Sequence, residues 1–321
     1  TRANLILPSH RILDAAYELH KGNAKIGSTL KGIGPAYTDK ASRNGLRVGD
    51  ILQKDFRNKY YDHLKNHLTI LRCYDFKFDL EEFENGWFEG IEMLKEFQIS
   101  DTEYLINKLA GKGHKVLAEG AQGTMLDVDF GTYPYVTSSN TISAGACIGL
   151  GISPKLIGDI FGIFKAYCTR VGSGPFPTEL NDGTGDLLRN IGREFGSTTG
   201  RARRCGWLDL PALKYSIMIN GITKLFMTKV DVMSVFKTIK ICTSYNVEGK
   251  NSDEIPFNAD APIEPLYTEL QGWEADISGI REFDRLPDAL KLFIEFIENQ
   301  TGVPVTMVSV GPDREETIFR K

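Results

Sequence analysis

Short apolar runs alternate along this chain with longer stretches that have the periodicity of amphipathic helices, and this alternation constrains the fold more than any other feature. Buried strands are predicted near residues 115–119, 159–167, 224–230, 238–244 and 303–309. Helices are predicted at about residues 12–20, 52–73, 81–98, 101–111, 184–194, 208–219 and 286–300. Apolar runs separated by helices favour a largely parallel central sheet covered by helices. The chain is therefore predicted to be an α/β protein, with ligands at the carboxyl ends of its strands.

The chain is predicted to form a single α/β domain over residues 1–321, without a separate second domain. No internal repeat, low-complexity tract or long linker interrupts it. Its first residues are unusual, because residues 5–8 resemble the end of a buried strand and an amphipathic helix follows at once. We therefore expect the chain to begin in the middle of a fold.

The composition excludes several classes of protein. With 42 acidic and 38 basic residues the formal net charge is −4, so nothing attracts the whole chain to nucleic acid or to an anionic membrane. No apolar stretch reaches the roughly 18 residues of a membrane span, and the first residues lack the layout of a signal peptide. The five cysteines form no C-x-x-C pair, which indicates neither a disulfide framework nor a zinc site. A cytoplasmic location is predicted.

Residues 228–231, with the sequence Thr-Lys-Val-Asp, directly follow an apolar run. The Asp231 carboxylate can accept hydrogen bonds from both the N1–H and the 2-amino group of guanine, a pair of donors that adenine does not offer. The Lys229 stem can lie along the base. The alternative is a capped strand end with solvated charges.

A tight turn follows the strand that is predicted to end at Ser309. Such a turn exposes backbone groups that can contact a flat base, and Ser309 adds a hydroxyl group. Alone, this segment is only a turn. Together with residues 228–231 it is predicted to complete a guanine pocket made of Lys229, Val230, Asp231, Ser309, Val310, Gly311 and Pro312.

Residues 196–206, with the sequence Gly-Ser-Thr-Thr-Gly-Arg-Ala-Arg-Arg-Cys-Gly, form a basic loop between glycines. The glycines let the backbone approach a ligand, the threonines offer hydroxyl groups, and the arginines offer planar forks for carboxylate or phosphate. A dianionic substrate is predicted. A solvated loop and a nucleic-acid patch are the alternatives, and the second lacks the interleaved aromatic residues that it needs.

Two further segments are rich in glycine. Residues 27–43 contain three glycines and a proline within nine positions, and a helix start near Thr38 can attract an anion. A structural Ω-loop is the alternative. Residues 119–140 begin at a predicted strand end, and there Gln122 and Thr137 can hydrogen-bond a ligand. For Asp127 and Asp129 in this segment, structural roles in turns are favoured over catalysis.

Taken together, these segments resemble the adenylosuccinate synthetases, from about Ile6 to the end of the chain. Residues 32–43 fit the family pattern G-I-G-P-x-Y-x-x-K-x-x-R. Further matching segments follow in the family's order, at residues 120–123, 131–140, 165–167, 169–172, 176–179 and 198–201. The resemblance implies a fold like that of the P-loop NTPases, a homodimer, and the joining of IMP to L-aspartate with GTP and Mg²⁺ in AMP synthesis.

The resemblance also implies the site residues. Those for IMP are Thr29, Gln122, Thr137 and Arg201, with Arg43 reaching the IMP site of the partner subunit. Those for aspartate are Val171, Ser197, Thr198, Thr199, Gly200, Arg201 and Arg203. Those for GTP are Arg203 and the residues of the guanine pocket. Lys40 stands where the family pattern has its lysine and is the one catalytic candidate, and no residue of this chain is predicted to bind the metal.

One part of the family pattern is not found in the sequence. The family's phosphate loop, of the type G-D-E-G-K-G, does not occur, nor does the histidine that follows it. The chain is therefore predicted to lack the family's N-terminal strand and phosphate loop, and with them the main general base and general acid. We expect it to be inactive by itself, and a catalytically incompetent fragment that binds guanine nucleotide and IMP is the alternative function.

Overall fold

The structure is a computed structural model that describes residues 1–196, 200–258 and 261–320. Its contacts divide the chain into two compact units. Unit 1 consists of Thr1–Gln122 and Leu126–Leu156, and unit 2 of Gly123–Met125 and Ile157–Lys321. The prediction of a single domain stays a prediction.

Unit 1 is helical. Its helices are α1 (Pro8–His20), α2 (Ile33–Ser42), α3 (Phe56–Leu71), α4 (Glu81–Lys95), α5 (Thr102–Gly111) and α6 (Ala144–Leu150). Helix α1 starts with Pro8, whose fixed φ and missing N–H suit the first helical position. Its inner face packs Ile12, Leu13 and Ala16 against Leu71 of α3.

Two strand predictions in unit 1 are wrong. Leu5 and Leu7 are buried as expected, but they pack against helical residues such as Tyr60 instead of joining a sheet. Residues 115–119 pair with no strand in the described part of the chain, and Leu117 is 83% exposed. An apolar run becomes a strand only where a neighbour satisfies its backbone N–H and C=O groups, and the run itself does not say whether that neighbour is present.

Unit 2 is built from strands and helices in alternation. Its strands are β1 (Phe161–Lys165), β2 (Cys168–Arg170), β3 (Arg204–Gly206), β4 (Leu208–Asp209), β5 (Lys224–Thr228), β6 (Thr238–Val247), β7 (Lys250–Ser252), β8 (Ile263–Gln271), β9 (Val305–Ser309) and β10 (Thr317–Phe319). Its helices are α7 (Gly183–Gly192), α8 (Leu210–Asn220) and α9 (Asp288–Thr301).

The sheets are mixed, which corrects the prediction of one largely parallel sheet. One sheet has the order β1-β5-β9-β10, in which β1, β5 and β9 are parallel and β10 is antiparallel to β9. Strand β6, predicted for the same sheet, instead lies in a second sheet, parallel to β4 and antiparallel to β7 and β8. Sequence reasoning missed β8, because Pro265 within it argues against a strand that is paired on both sides.

The core of unit 2 contains side chains of both sheets and of α7, α8 and α9. Leu225 and Met227 of β5 are fully buried, as are Phe293 and Ile294 of α9. Because β1, β5 and β9 run in parallel, all three end at the same edge of the sheet. Lys165 at the end of β1 pairs in register with Thr228 at the end of β5. This edge is where the predicted guanine loops begin.

Candidate active site

The two predicted guanine segments lie side by side. Met227 of β5 is in register with Val308 of β9, so Thr228 and Ser309 are neighbours at the carboxyl edge of the sheet. The Thr228 hydroxyl donates a hydrogen bond to the carbonyl oxygen of Phe164 in β1, at 3.0 Å. The structure therefore joins two segments that are about 80 residues apart in the sequence.

Lys229 has a left-handed backbone, with φ of 64°. This conformation costs a residue with a side chain about 1 kcal/mol or more, and such residues concentrate at ligand sites. The Lys229 ammonium donates to the carbonyl oxygen of Gly192, the last residue of α7, at 3.0 Å. A positive charge at the C-terminus of a helix is favourable.

Asp231 is half-buried, and its surroundings disfavour the charged form of its carboxyl group. Burial raises the pKa of its carboxyl group, the nearby Lys229 opposes this, and Glu316 raises the pKa further. Glu316 belongs to the turn after β9, so the two guanine segments approach each other at Asp231. A partly desolvated carboxylate of this kind gains from a ligand that donates two N–H groups to it.

The turn after β9 is tightly held. The Ser309 hydroxyl donates to the carbonyl oxygen of Gly311 at 2.8 Å, and the Val310 amide donates to that of Glu316 at 2.8 Å. The Glu316 carboxylate accepts from the Asp313 amide at 3.0 Å. A β-carbon on Gly311 would lie 2.2 Å from this carboxylate, so the backbone passes close to it.

Glu194, which follows α7, binds three side chains, two at or just after the end of β1 and one in the basic loop. It is only 2% exposed. Its carboxylate accepts from the Lys165 ammonium at 2.7 and 2.8 Å, from the Tyr167 hydroxyl at 2.6 Å and from the Arg203 guanidinium at 2.9 Å. Burial by itself raises the pKa of Glu194, but the hydrogen bonds from Lys165 and Tyr167 outweigh it and hold the pKa below its ordinary value.

Sequence reasoning did not identify Glu194 or assign a role to Lys165. Burial lowers the pKa of Lys165, and the positive charges of Arg203 and Lys229 act in the same direction, against the attraction of Glu194. A usable signal was the single glutamate beside a loop that carries three arginines. Several cations in one place need a carboxylate between them.

The basic loop is described only in part. Ser197, Thr198 and Thr199, all predicted to bind aspartate, lie outside the described residues. The amide of Gly196 donates to the carbonyl oxygen of Arg201 at 2.8 Å, and the amide of Gly200 donates to that of Gly196 at 2.7 Å. These bonds close the base of the loop, where Phe195 and Ala202 form a bridge. Val171, another predicted aspartate contact, is exposed just after β2.

In unit 1, two carboxylates of α1 shape the loop that carries Thr29. Asp14 accepts from the Ser28 hydroxyl at 2.7 Å and from the Gly32 amide at 2.9 Å. Glu18 accepts from the amides of Gly27 and Ser28 at 2.8 and 3.1 Å. Thr29 itself is exposed at the tip of the loop, and the loop conformation is therefore determined by α1.

We expect Gly32→Ala to lower the free energy of unfolding by about 2 kcal/mol. Gly32 has φ of 80°, and a β-carbon there would lie 2.9 Å from backbone atoms of His10 and Arg11. Chemical denaturation measures the loss. Gly22→Ala is the matched control, because Gly22 also has a positive φ but nothing within 4 Å. Equal losses in the two variants would contradict the contact and leave only the strained backbone.

Helix α2 has one exposed face and one buried face. Lys40 and Arg43 are exposed, and the Lys40 ammonium lies 5.0 Å from the centre of the Tyr37 ring. On the inner face Asp39 is bound by His10 at 2.8 Å and by His67 at 3.1 Å, each through Nε2. Burial raises the pKa of Asp39, but the bonds from the two histidines outweigh it and hold the pKa below its ordinary value.

We expect the protein to lose stability as the pH falls below 6.5. Burial lowers the pKa of His10 from that ordinary value, and the bond to Asp39 opposes this only in part. Unfolded chains therefore take up a proton at this position before folded chains do, so stability is lost as the pH falls from 6.5 toward the folded-state pKa. Thermal unfolding at neutral and mildly acidic pH measures the loss. His10→Gln should reduce this pH dependence and the exposed His20→Gln should not; an unchanged dependence in His10→Gln would refute the assignment.

The remaining predicted IMP residues are in irregular segments. Gln122 has a left-handed backbone, with φ of 62°. The Thr137 amide donates to the carbonyl oxygen of Leu126 at 2.9 Å. Asp127 is fully buried, and its carboxylate accepts hydrogen bonds from the backbone amides of Asp129, Phe130, Thr141 and Ile142. These bonds fit a structural role for Asp127. Thr29, Gln122 and Thr137 belong to unit 1, and Arg201 belongs to unit 2.

Parallel strands that end in glycine-rich and basic loops are the arrangement with which α/β proteins bind nucleotides. The sequence model of one family, described as adenylosuccinate synthetase, matches residues 1–318. The chain belongs to the adenylosuccinate synthetase family.

Individual relatives agree with this. The chain is 58% identical over 319 residues to an adenylosuccinate synthetase of Bacteroides fragilis and 57% identical to that of Bacteroides thetaiotaomicron, in each case over 99% of the chain and 75% of the relative. The structure of a fully ligated adenylosuccinate synthetase from Plasmodium falciparum superposes with a TM-score of 0.94 at 39% identity, over 99% of this chain and 77% of that one. A cyanophage S-2L succinoaminodeoxyadenylate synthetase, at 18% identity and a TM-score of 0.57, shares the fold.

Two earlier expectations can be compared with the similarities and with the structure. They extend over 99% of the chain and do not support the prediction that an N-terminal strand and a phosphate loop are missing. None of the helices in the described part of the chain is long and apolar enough to cross a membrane.

Proposed function

We propose that this protein joins IMP to L-aspartate at the expense of GTP, forming adenylosuccinate, GDP and phosphate in AMP biosynthesis. The γ-phosphoryl group of GTP moves to O6 of IMP, and the aspartate amine then attacks C6 and displaces phosphate. Membership of the family supports the reaction. The observation that carries it is that residues 228–231 and the turn after Ser309 follow the paired strands β5 and β9 at the same edge of the sheet.

In this proposal Asp231 reads the base. Its carboxylate accepts from guanine N1–H and the 2-amino group, while the stem of Lys229 and the backbone of Ser309, Gly311 and Pro312 frame the ring. The raised pKa of Asp231 supports this role, because the partly desolvated carboxylate gains two donors when the base binds. Val230 and Val310 are fully buried and support the two loops from the core side.

Arginines hold the other substrates. Arg203 binds a carboxylate of aspartate and lies near the GTP, and Arg201 serves both aspartate and IMP, in keeping with the planar donors of guanidinium groups. Thr29, Gln122 and Thr137 are the further residues proposed to bind IMP. Arg43 reaches the IMP site of the partner subunit in a homodimer, and its exposure at the C-terminus of α2 supports this.

Mg²⁺ enters the proposal only as the ion that accompanies GTP. The buried group His10, Asp39 and His67 could bring three ligand atoms to one ion, but Mg²⁺ prefers oxygen ligands. The Leu7 amide also donates to Nδ1 of His10 at 2.9 Å, which leaves the proton on Nε2, the atom that faces Asp39. This group does not fit a metal ion, and no ligand for Mg²⁺ is assigned.

The function is tested with the protein expressed from its complete reading frame. Incubation with GTP, IMP, aspartate and Mg²⁺ should yield adenylosuccinate and GDP in equal amounts, and omission of any substrate should abolish the product. Release of GDP without adenylosuccinate would refute the proposal. The same assay on residues 1–321 alone tests the expectation that they are inactive by themselves, which is the alternative of a binding fragment without catalysis.

A cytoplasmic location and a homodimer belong to the same proposal. Analytical ultracentrifugation with and without IMP tests the dimer. We expect Arg43→Leu to raise the KM for IMP in a dimer that still forms, and a monomer at working concentrations would contradict the shared site.

A further inference from the structure

We propose that Glu194 is a positioning residue that orients the side chains of Arg203 and Lys165. Through them it couples the basic loop, which binds aspartate, to the carboxyl edge of the sheet, which binds the nucleotide. This inference rests on the proposed function and concerns a residue to which neither the sequence motifs nor the family resemblance assigns a role. Three features of unit 2 carry it.

The first feature is the place of Glu194 at the base of the basic loop. Its carbonyl oxygen accepts from the Arg203 amide at 2.9 Å, and its own amide donates to the carbonyl oxygen of Arg189 at 2.9 Å. Nε of Arg189 in turn donates to the carbonyl oxygen of Arg203 at 2.9 Å. The backbones of Glu194 and Arg203 are therefore bonded directly to each other, so the position of Glu194 bears on that of Arg203.

The second feature is the way in which Arg203 is held. Only one terminal nitrogen, Nη1, donates to Glu194, and the buried Nε has no partner among the described residues. The side chain of Arg203 is 31% exposed. A guanidinium group fixed at one nitrogen presents its remaining N–H groups in one plane and direction, which suits a carboxylate or phosphate ligand.

The third feature is the charge balance. Arg203 and Lys229 lie close enough to Lys165 for their positive charges to lower its pKa. Glu194 supplies the buried negative charge among them, with both oxygens bound to Lys165. Lys165 also donates to the Thr169 hydroxyl at 3.0 Å, and it stands at the end of β1 beside Thr228. Without the carboxylate, the cations would repel one another and move apart.

A purely structural role is the competing explanation, because breaking a buried ion pair is destabilising in any protein. The chain offers a matched control. Glu179 binds Arg204, the residue next to Arg203, with Oε1 2.7 Å from Nε of the arginine and Oε2 in contact with Nη2. Neither Glu179 nor Arg204 is placed in the substrate sites, so Glu179→Gln removes a neighbouring, more exposed carboxylate–arginine pair without touching the proposed coupling.

The test compares Glu194→Gln, Glu194→Asp and Glu179→Gln in the protein from its complete reading frame, with KM for each substrate, kcat and thermal unfolding. We expect Glu194→Gln to raise the KM for aspartate by about tenfold while the KM for IMP stays within about twofold. Glu194→Asp keeps the charge and should recover part of the loss. Glu179→Gln should lower stability by less, because this carboxylate is 20% exposed and its side-chain partner is Arg204, and it should leave the KM for aspartate unchanged.

Two results would overturn the inference. One is an equal rise in the KM for aspartate in Glu194→Gln and Glu179→Gln, and the other is an equal rise for all three substrates in Glu194→Gln. If Glu194→Gln does not fold, Glu194→Asp decides, and an unchanged KM for aspartate in that variant refutes the positioning role. Lack of adenylosuccinate with the unmutated protein would instead refute the proposed function.

Discussion

Asp231→Asn is expected to shift the nucleotide preference from GTP to XTP. The asparagine side chain can no longer accept two hydrogen bonds from guanine, and its amide nitrogen faces the 2-amino group as a second donor. The same amide can donate to the 2-oxo group that xanthine carries in place of that amino group. Loss of a charge-assisted pair of this kind corresponds to about a 100-fold lower kcat/KM for GTP.

The surroundings of Asp231 explain why the effect should be large. Burial raises the pKa of this carboxyl group, and the neighbouring Glu316 adds a second negative charge, so the carboxylate is poorly stabilised before the base binds. Two N–H donors from guanine stabilise the negative charge of this carboxylate. An amide has no charge to relieve, so the variant should retain only the packing of the ring on the two loops.

The measurement is kcat/KM with GTP and with XTP for the unmutated protein and the variant. Glu316→Gln is the control, because this carboxylate contacts the Asp313 amide and is not assigned to the base. Because this variant removes the negative charge beside Asp231 but keeps the carboxylate that accepts from guanine, GTP should stay preferred over XTP. If Asp231→Asn keeps its full preference for GTP, the assignment of residues 228–231 to guanine is wrong.

Arg203→Leu is expected to raise the KM for aspartate by about 100-fold, since it removes a guanidinium–carboxylate interaction. The leucine retains apolar bulk but no donor. The change also leaves Glu194 with Lys165 and Tyr167 as its remaining side-chain partners, so some loss of stability will accompany it. The KM for IMP should change much less.

Initial rates at varied aspartate and saturating GTP and IMP give the KM. Arg193→Leu is the control, because Arg193 is an exposed arginine close in sequence and its loss changes the net charge equally. Arg203→Lys keeps the charge and should fall between leucine and the unmutated residue, since ammonium cannot form the planar pair. An effect confined to IMP would show that the basic loop has been assigned to the wrong substrate.

The sequence by itself determined the local parts of unit 2. Strands β1, β5 and β9 and the helices α7, α8 and α9 lie within a few residues of their predicted positions. The loops at residues 228–231 and after Ser309 were recognised because their composition is set by local backbone and hydrogen-bonding needs. Such signals are contained in a few neighbouring residues, and distant contacts do not erase them.

Tertiary structure decided everything that needs a partner far along the chain. The apolar run at residues 115–119 did not become a strand, whereas β8, with a proline within it, did, because backbone pairing depends on which neighbour is available. Glu194 carries no local signal of its own, and only the folded chain brings Lys165, Tyr167 and Arg203 onto its carboxylate. Burial then makes those contacts strong, because a charge removed from water must be paired.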